Sequence, residues 1–85
     1  MIRLAHAQDV DTLTIDESIK AVARNTLEIL DESYGINRDP VKDLGGIVLI
    51  LEHIDDFEVL KTYNLDEDTL IPEYVETISV RHHNS

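Results

Sequence analysis

The chain has 85 residues, 42% of them apolar, with eighteen acids against seven bases, a net charge of −11, and neither Cys nor Trp. One small domain follows from the length, and the missing cysteines exclude disulfides, thiolate metal sites and cysteine nucleophiles. So acidic a surface repels phosphate backbones and anionic lipids, so direct nucleic-acid or membrane binding is not expected.

Residues 1–81 are expected to form a single α+β domain, with 82–85 a flexible polar tail. The opening stretch, MIRLAHA, suits a short strand or a loose arm, and QDVDTL reads as loop. No long apolar stretch of the signal-peptide kind occurs here, and a cysteine-free small fold suits a reducing interior, so the expected compartment is the cytoplasm.

Residues 14–34 carry the clearest pattern. TIDE offers a capping box from Thr14 to Glu17, with Asp16 as an alternative cap. At 100° per residue, Ile15, Ile19, Val22, Ala23, Thr26, Leu27, Ile29, Leu30 and Tyr34 share one face. Glu17, Lys20, Arg24, Glu28, Asp31 and Glu32 lie opposite. A helix over 15–34 follows, with Gly35 able to close it and Arg24 spaced to pair with Glu28.

INRDPVKDLGG reads as a connection, since Asp39-Pro40 disfavours helix at Asp39 and Gly45-Gly46 is a breaker pair. Ile47–Leu51 is apolar at every position, as in a strand covered on both faces. IDDFEVLKTYN then suggests a short helix over 56–63, capped by Asp55 or Asp56 with Glu58 reaching back to Asp55. Phe57, Leu60 and Tyr63 would form its buried stripe. LDEDTLIPE reads as loop, and EYVETISV as a second strand with Tyr74, Glu76, Ile78 and Val80 on one face. The expected fold is a two-layer α+β domain: one long amphipathic helix on a short sheet of two or three strands, plus a second short helix. The sheet could be a parallel pair joined by a crossover or an antiparallel one, and residues 2–7 could add a strand.

Chemistry-bearing motifs are weak. Counted from Asp66, a calcium loop would need Gly at its sixth position and Glu at its twelfth, where Ile71 and Thr77 stand. His82 and His83 supply too few ligands for a closed metal site, with His6 and His53 far away in sequence. Ser18 and His53 permit a Ser–His–acid set on paper, but Ser18 sits in a helix first turn rather than a nucleophile elbow. No cofactor, metal site or enzymatic activity is expected.

The acids themselves are the leading signal. Residues 52–76 hold nine acids and one base, Lys61. A non-enzymatic interaction or regulatory module is therefore expected, binding a basic protein surface through Glu52, Asp55, Asp56, Asp66, Glu67, Asp68, Glu73 and Glu76. The alternative is a phage or mobile-element inhibitor that imitates nucleic-acid phosphates, which requires these carboxylates in two rows on one surface. A homodimer is also expected, because a five-residue run apolar on both pleat faces exceeds what one long and one short helix would cover.

Overall fold

A computed structural model describes residues 2–82. The elements are β1 (Ile2–Leu4), α1 (Gln8–Asp11), α2 (Glu17–Tyr34), α3 (Pro40–Leu44), β2 (Ile47–Ile54), β3 (Phe57–Leu65) and β4 (Pro72–His82). The strands form one sheet in the order β1-β2-β3-β4, antiparallel throughout. The α+β class stands, but the sheet has four strands rather than two or three. No helix among the described residues is long and apolar enough to cross a membrane.

Helix α2 starts at Glu17, because the cap is Asp16 and not Thr14: the Asp16 carboxylate accepts from the Ser18 N–H at 2.8 Å. Its face packs Ile19, Ala23 and Leu27 against Leu4, Val10, Leu49, Leu51 and Leu60, all at most 3% exposed. Ile15, Val22 and Leu30 are partly buried around this core, whereas Ile29 and Tyr34 of the expected face are exposed. Gly35 ends the helix with a φ of 87°. The segments read as loop and connection contain α1, whose Val10 is fully buried, and α3, which begins at Pro40 with Asp39 accepting from the Val41 and Lys42 N–H groups.

The expected helix over 56–63 is instead strand β3. Asp55 and Asp56 make a two-residue hairpin turn between Ile54 and Phe57, with Asp55 at a φ of 54°. Asp tolerates that left-handed geometry better than most residues. Glu58 does not cap a helix of its own: it is fully buried and accepts from the Asp16 N–H at 2.9 Å, at the start of α2. The connection between Leu51 and Tyr74 therefore holds a central antiparallel strand, not a crossover.

Strand β4 carries two bulges, where its pairing with β3 steps from Ser79 to Thr77 and from Glu76 to Tyr74. Val75 and Ile78 are the extra residues, and each flips the alternation that follows. Glu73, Glu76, Ser79 and Arg81 therefore share the helix-facing side, and Tyr74, Thr77, Val80 and His82 the other, in place of the unbroken alternation expected. His82 is strand, opposite Phe57, so the expected tail does not begin there; its remainder, residues 83–85, lies outside the described residues.

Among the described residues α2 is the one long helix and packs on one side of the sheet; the short α3 contacts β2 near its start. On the side away from α2 the residues run across the strands Val48–Tyr63–Tyr74, then Arg3–Ile50–Lys61–Thr77, then Glu52–Val59–Val80, then Ile54–Phe57–His82. Val48, Ile50 and Val59 are nevertheless only 6%, 4% and 6% exposed. Each sits directly opposite Tyr63, Lys61 or Glu52, and neighbours so placed lie about 5 Å apart. The stems of those long side chains shield the aliphatics. Residues 48–51 of the apolar run are thus satisfied on one face by α2 and on the other mainly by amphipathic side chains, whereas Ile47, expected to be covered, is 47% exposed at the start of the strand.

Candidate functional site

The eight acids singled out in the sequence fall into three settings. Glu52 lies on the open sheet face and is internally engaged: Lys61 Nζ donates to Oε2 at 2.9 Å and the Tyr63 hydroxyl to Oε1 at 2.7 Å. Asp55 and Asp56 form the β2–β3 turn. Asp66, Glu67 and Asp68 lie in the β3–β4 loop, at the other end of β3. Glu73 follows on β4 opposite Asn64, with Glu76 opposite Thr62.

The nine residues of β3 separate the two turns by roughly 30 Å at about 3.3 Å per residue. One carboxylate pair therefore caps one end of the sheet, the larger group gathers at the other, and Glu52 is bonded in the middle. These positions do not form the two parallel rows that imitation of a phosphate backbone requires.

Within the larger group, Asp66 shapes the loop. Its Oδ1 accepts from the Asp68 and Thr69 N–H groups, both at 2.9 Å. Those two bonds hold its carboxyl below the ordinary aspartate value of 3.8. Leu70 turns the chain back with a φ of 58°. Glu67, Asp68, Glu73 and Glu76 are exposed and have no ion pair among the described residues. Glu67 shares an open hollow of about 490 Å³ with Arg3, Lys42 and Leu70.

The Glu52–Lys61–Tyr63 cluster is a tuned set. The Tyr63 and Lys61 hydrogen bonds hold the Glu52 carboxyl below its ordinary 4.5. The same carboxylate raises Lys61 above 10.5 and Tyr63 above 10.0. The Lys61 ammonium also stands 5.6 Å from the centre of the Tyr74 ring, which meets Tyr63 edge-on at 6.0 Å. Glu52→Gln is expected to bring the Tyr63 titration down toward 10, read from phenolate absorbance against the other two tyrosines. The folded state favours the neutral phenol, so wild-type stability falls as pH rises through the Tyr63 value; the variant loses the part of that dependence that the Glu52 carboxylate supplies and keeps the part due to burial.

A second polar cluster ties β1 to the end of α2. Asp31 accepts from Arg38 Nη1, from the Ala7 N–H at 3.2 Å and lies 3.2 Å from His6 Nδ1. Arg38 also donates to the Gly35 and Ala5 carbonyls, at 3.1 and 2.5 Å, and its side chain is 4% exposed. Burial acts to raise the Asp31 carboxyl, but donation from Arg38, Ala7 and His6 outweighs it and holds the group below 3.8. A cavity of about 230 Å³ opens alongside, between Arg38, His6, Leu27, Leu30, Leu44 and Val48. Among the described residues no buried side-chain polar atom lacks a partner, and no three His, Asp or Glu residues are grouped to hold a metal ion.

No family model, no curated protein and no solved structure matches this chain.

Proposed function

We propose that this protein is a non-enzymatic interaction module of the cytoplasm that engages a basic protein surface through the acidic end of its sheet, and that it works as a homodimer. The observation that carries the first part is the β3–β4 end. Glu67 and Asp68 lie there on a loop whose shape Asp66 already fixes, and Glu73 follows at the start of β4, all exposed and free of ion pairs among the described residues. Held on a preformed loop, these carboxylates need little ordering to meet Lys or Arg side chains. Glu76 extends the patch along β4. Asp55 and Asp56 form a separate, smaller patch at the opposite turn, and Glu52 serves the fold rather than the partner.

The experiment is a comparison of wild type with the double variant Glu67→Gln, Asp68→Asn, which leaves β4 unchanged. Partners captured from the source cell by the wild type are purified and their affinities measured at two salt concentrations. At about 0.2–1 kcal/mol for each exposed charge pair, the double variant is expected to bind roughly two- to thirtyfold more weakly, with a shallower salt dependence. Unchanged affinity, or capture of no basic partner, overturns the reading.

A further inference from the structure

The homodimer rests so far on an apolar surplus, and the structure moves that surplus. Ile50 and Val48 are already shielded, while Tyr74, Val75, Ile78 and Val80 are 57%, 53%, 38% and 45% exposed. All four belong to β4, the last strand of the sheet and its longest at eleven residues. The opposite edge, β1, has three residues. An edge strand this long presents unpaired backbone donors and acceptors to any chain that can lie beside it.

We propose that β4 pairs antiparallel with β4 of a second copy, about a two-fold axis through Thr77, giving one continuous eight-stranded sheet. Three independent features select the second copy as occupant and Thr77 as centre. The first is charge. Acids occupy the start of β4, at Glu73 and Glu76, and a cation its end, at Arg81. An antiparallel pairing about Thr77 sets Glu73 of each chain opposite Arg81 of the other. Both residues lie on the helix-facing side, since Glu73 pairs with Asn64 and Arg81 with Glu58 within the chain. Two cross-strand ion pairs result, one at each end of the interface.

The second feature is the apolar pattern. In the same register, Tyr74 on the open face stands opposite Val80 of the other copy, an aromatic–β-branched pair, and the two Thr77 residues meet at the axis. Pairs of both kinds stabilise neighbouring strands. The third is spacing. The bulges at Val75 and Ile78 leave Tyr74, Thr77 and Val80 three residues apart on either side of Thr77. Irregularities that would throw an arbitrary strand out of step are thereby matched in a symmetric one. The acidic loop, residues 66–71, stays outside the paired segment, and Glu76, the one acid beside the axis, stands opposite Ile78 of the other copy rather than opposite its own counterpart.

The arrangement deepens the dimer reading, and the test separates the two. Sedimentation at about 100 μM, in salt near physiological strength to screen exposed charges, is expected to give twice the chain mass. Glu73→Arg alone and Arg81→Glu alone place like charges opposite and should each raise the dimer dissociation constant tenfold or more. The double reversal, Glu73→Arg with Arg81→Glu, should restore the dimer, which a merely misfolded chain would not do. The chain lacks cysteine, so Thr77→Cys introduces a lone thiol at the axis. Directly opposed strand residues lie about 4.5–5.5 Å apart, within disulfide reach, and mild oxidation should yield a covalent dimer. A wild-type monomer overturns both the dimer and this arrangement. A dimer indifferent to the charge reversals, or one that Thr77→Cys fails to cross-link, overturns the β4 pairing alone.

Discussion

Arg38→Met is expected to lower stability by about 3 kcal/mol, the low end of what removing one partner of a buried ion pair costs. The low end applies because the Asp31 side chain keeps 19% of its exposure while Arg38 keeps 4%. Methionine preserves most of the stem, so packing changes little and the loss falls on polar partners. Asp31 stays behind without its cation, and the Ala5 and Gly35 carbonyls lose donors. Asp31 also lies in the last turns of α2, where the helix dipole disfavours an acid unless a cation stands nearby. Urea unfolding should show a lower midpoint with an unchanged slope. Acid titration supplies a second readout. The folded state holds Asp31 below 3.8, so this carboxylate stabilises the fold at higher pH, and that part is lost as pH falls through the depressed value. In Arg38→Met the main source of that depression is gone and the acid-dependent loss should shrink. A variant as stable as wild type would mean that Arg38 only decorates the junction between β1 and α2.

How much of this was legible in the sequence depended on whether a residue's role is periodic or positional. Helix α2 is periodic: Ile19, Ala23 and Leu27 recur at helical spacing, and the Gly35 stop is local. Ile47–Leu51 reads as an apolar run and 73–80 as a strand, although the two bulges of β4 break the alternation its sequence suggests. β3 does not read as a strand, because Phe57 and Leu60, three apart, imitate a helical stripe, and Asp55-Asp56 resembles a helix start as much as a turn. Two clues lay in the same stretch. Val59, Thr62 and Tyr63 favour strands, and Phe57, Val59, Lys61 and Tyr63 alternate with Glu58, Leu60 and Thr62 as a strand does. The acids form a cluster in sequence, yet a hairpin sends its turns to opposite ends, so closeness along the chain does not become closeness in space. The Arg38 tie joins residues 5, 31, 35 and 38, a conjunction that spacing does not encode. The bulges at Val75 and Ile78 answer to the pairing of β3 with β4 and leave no mark in β4's composition.

The other large effect is expected at Gly46. The Gly45-Gly46 pair reads as a simple chain breaker, but the two glycines are unequal. Both have positive φ, 63° and 89°. A Cβ on Gly45 would meet nothing within 4 Å, whereas one on Gly46 would lie 2.5 Å from Asn64 Oδ1, 2.6 Å from the Leu65 carbonyl oxygen and 3.2 Å from the Leu65 nitrogen. Asn64 could swing aside; the Leu65 backbone could not, because its N–H donates to the Gly46 carbonyl at 2.7 Å while the Gly46 N–H donates to Pro40 at 2.7 Å. Gly45→Ala should therefore cost only the left-handed backbone penalty, about 1–2 kcal/mol. Gly46→Ala adds the forced separation of packed backbone, about 1–3 kcal/mol more, for a total of about 2–5 kcal/mol. In a domain of this size that is a fall in melting temperature of roughly 8–40 °C, against about 4–16 °C for Gly45→Ala. The clash also has a direction. Leu65 leads straight into the loop that carries Glu67 and Asp68, so displacing it shifts the carboxylates assigned to the partner. Compared at a temperature where both variants remain folded, Gly46→Ala should weaken capture of a basic partner and Gly45→Ala should not. Equal melting temperatures for the two variants would show that the close approach of Gly46 to Leu65 has no energetic weight.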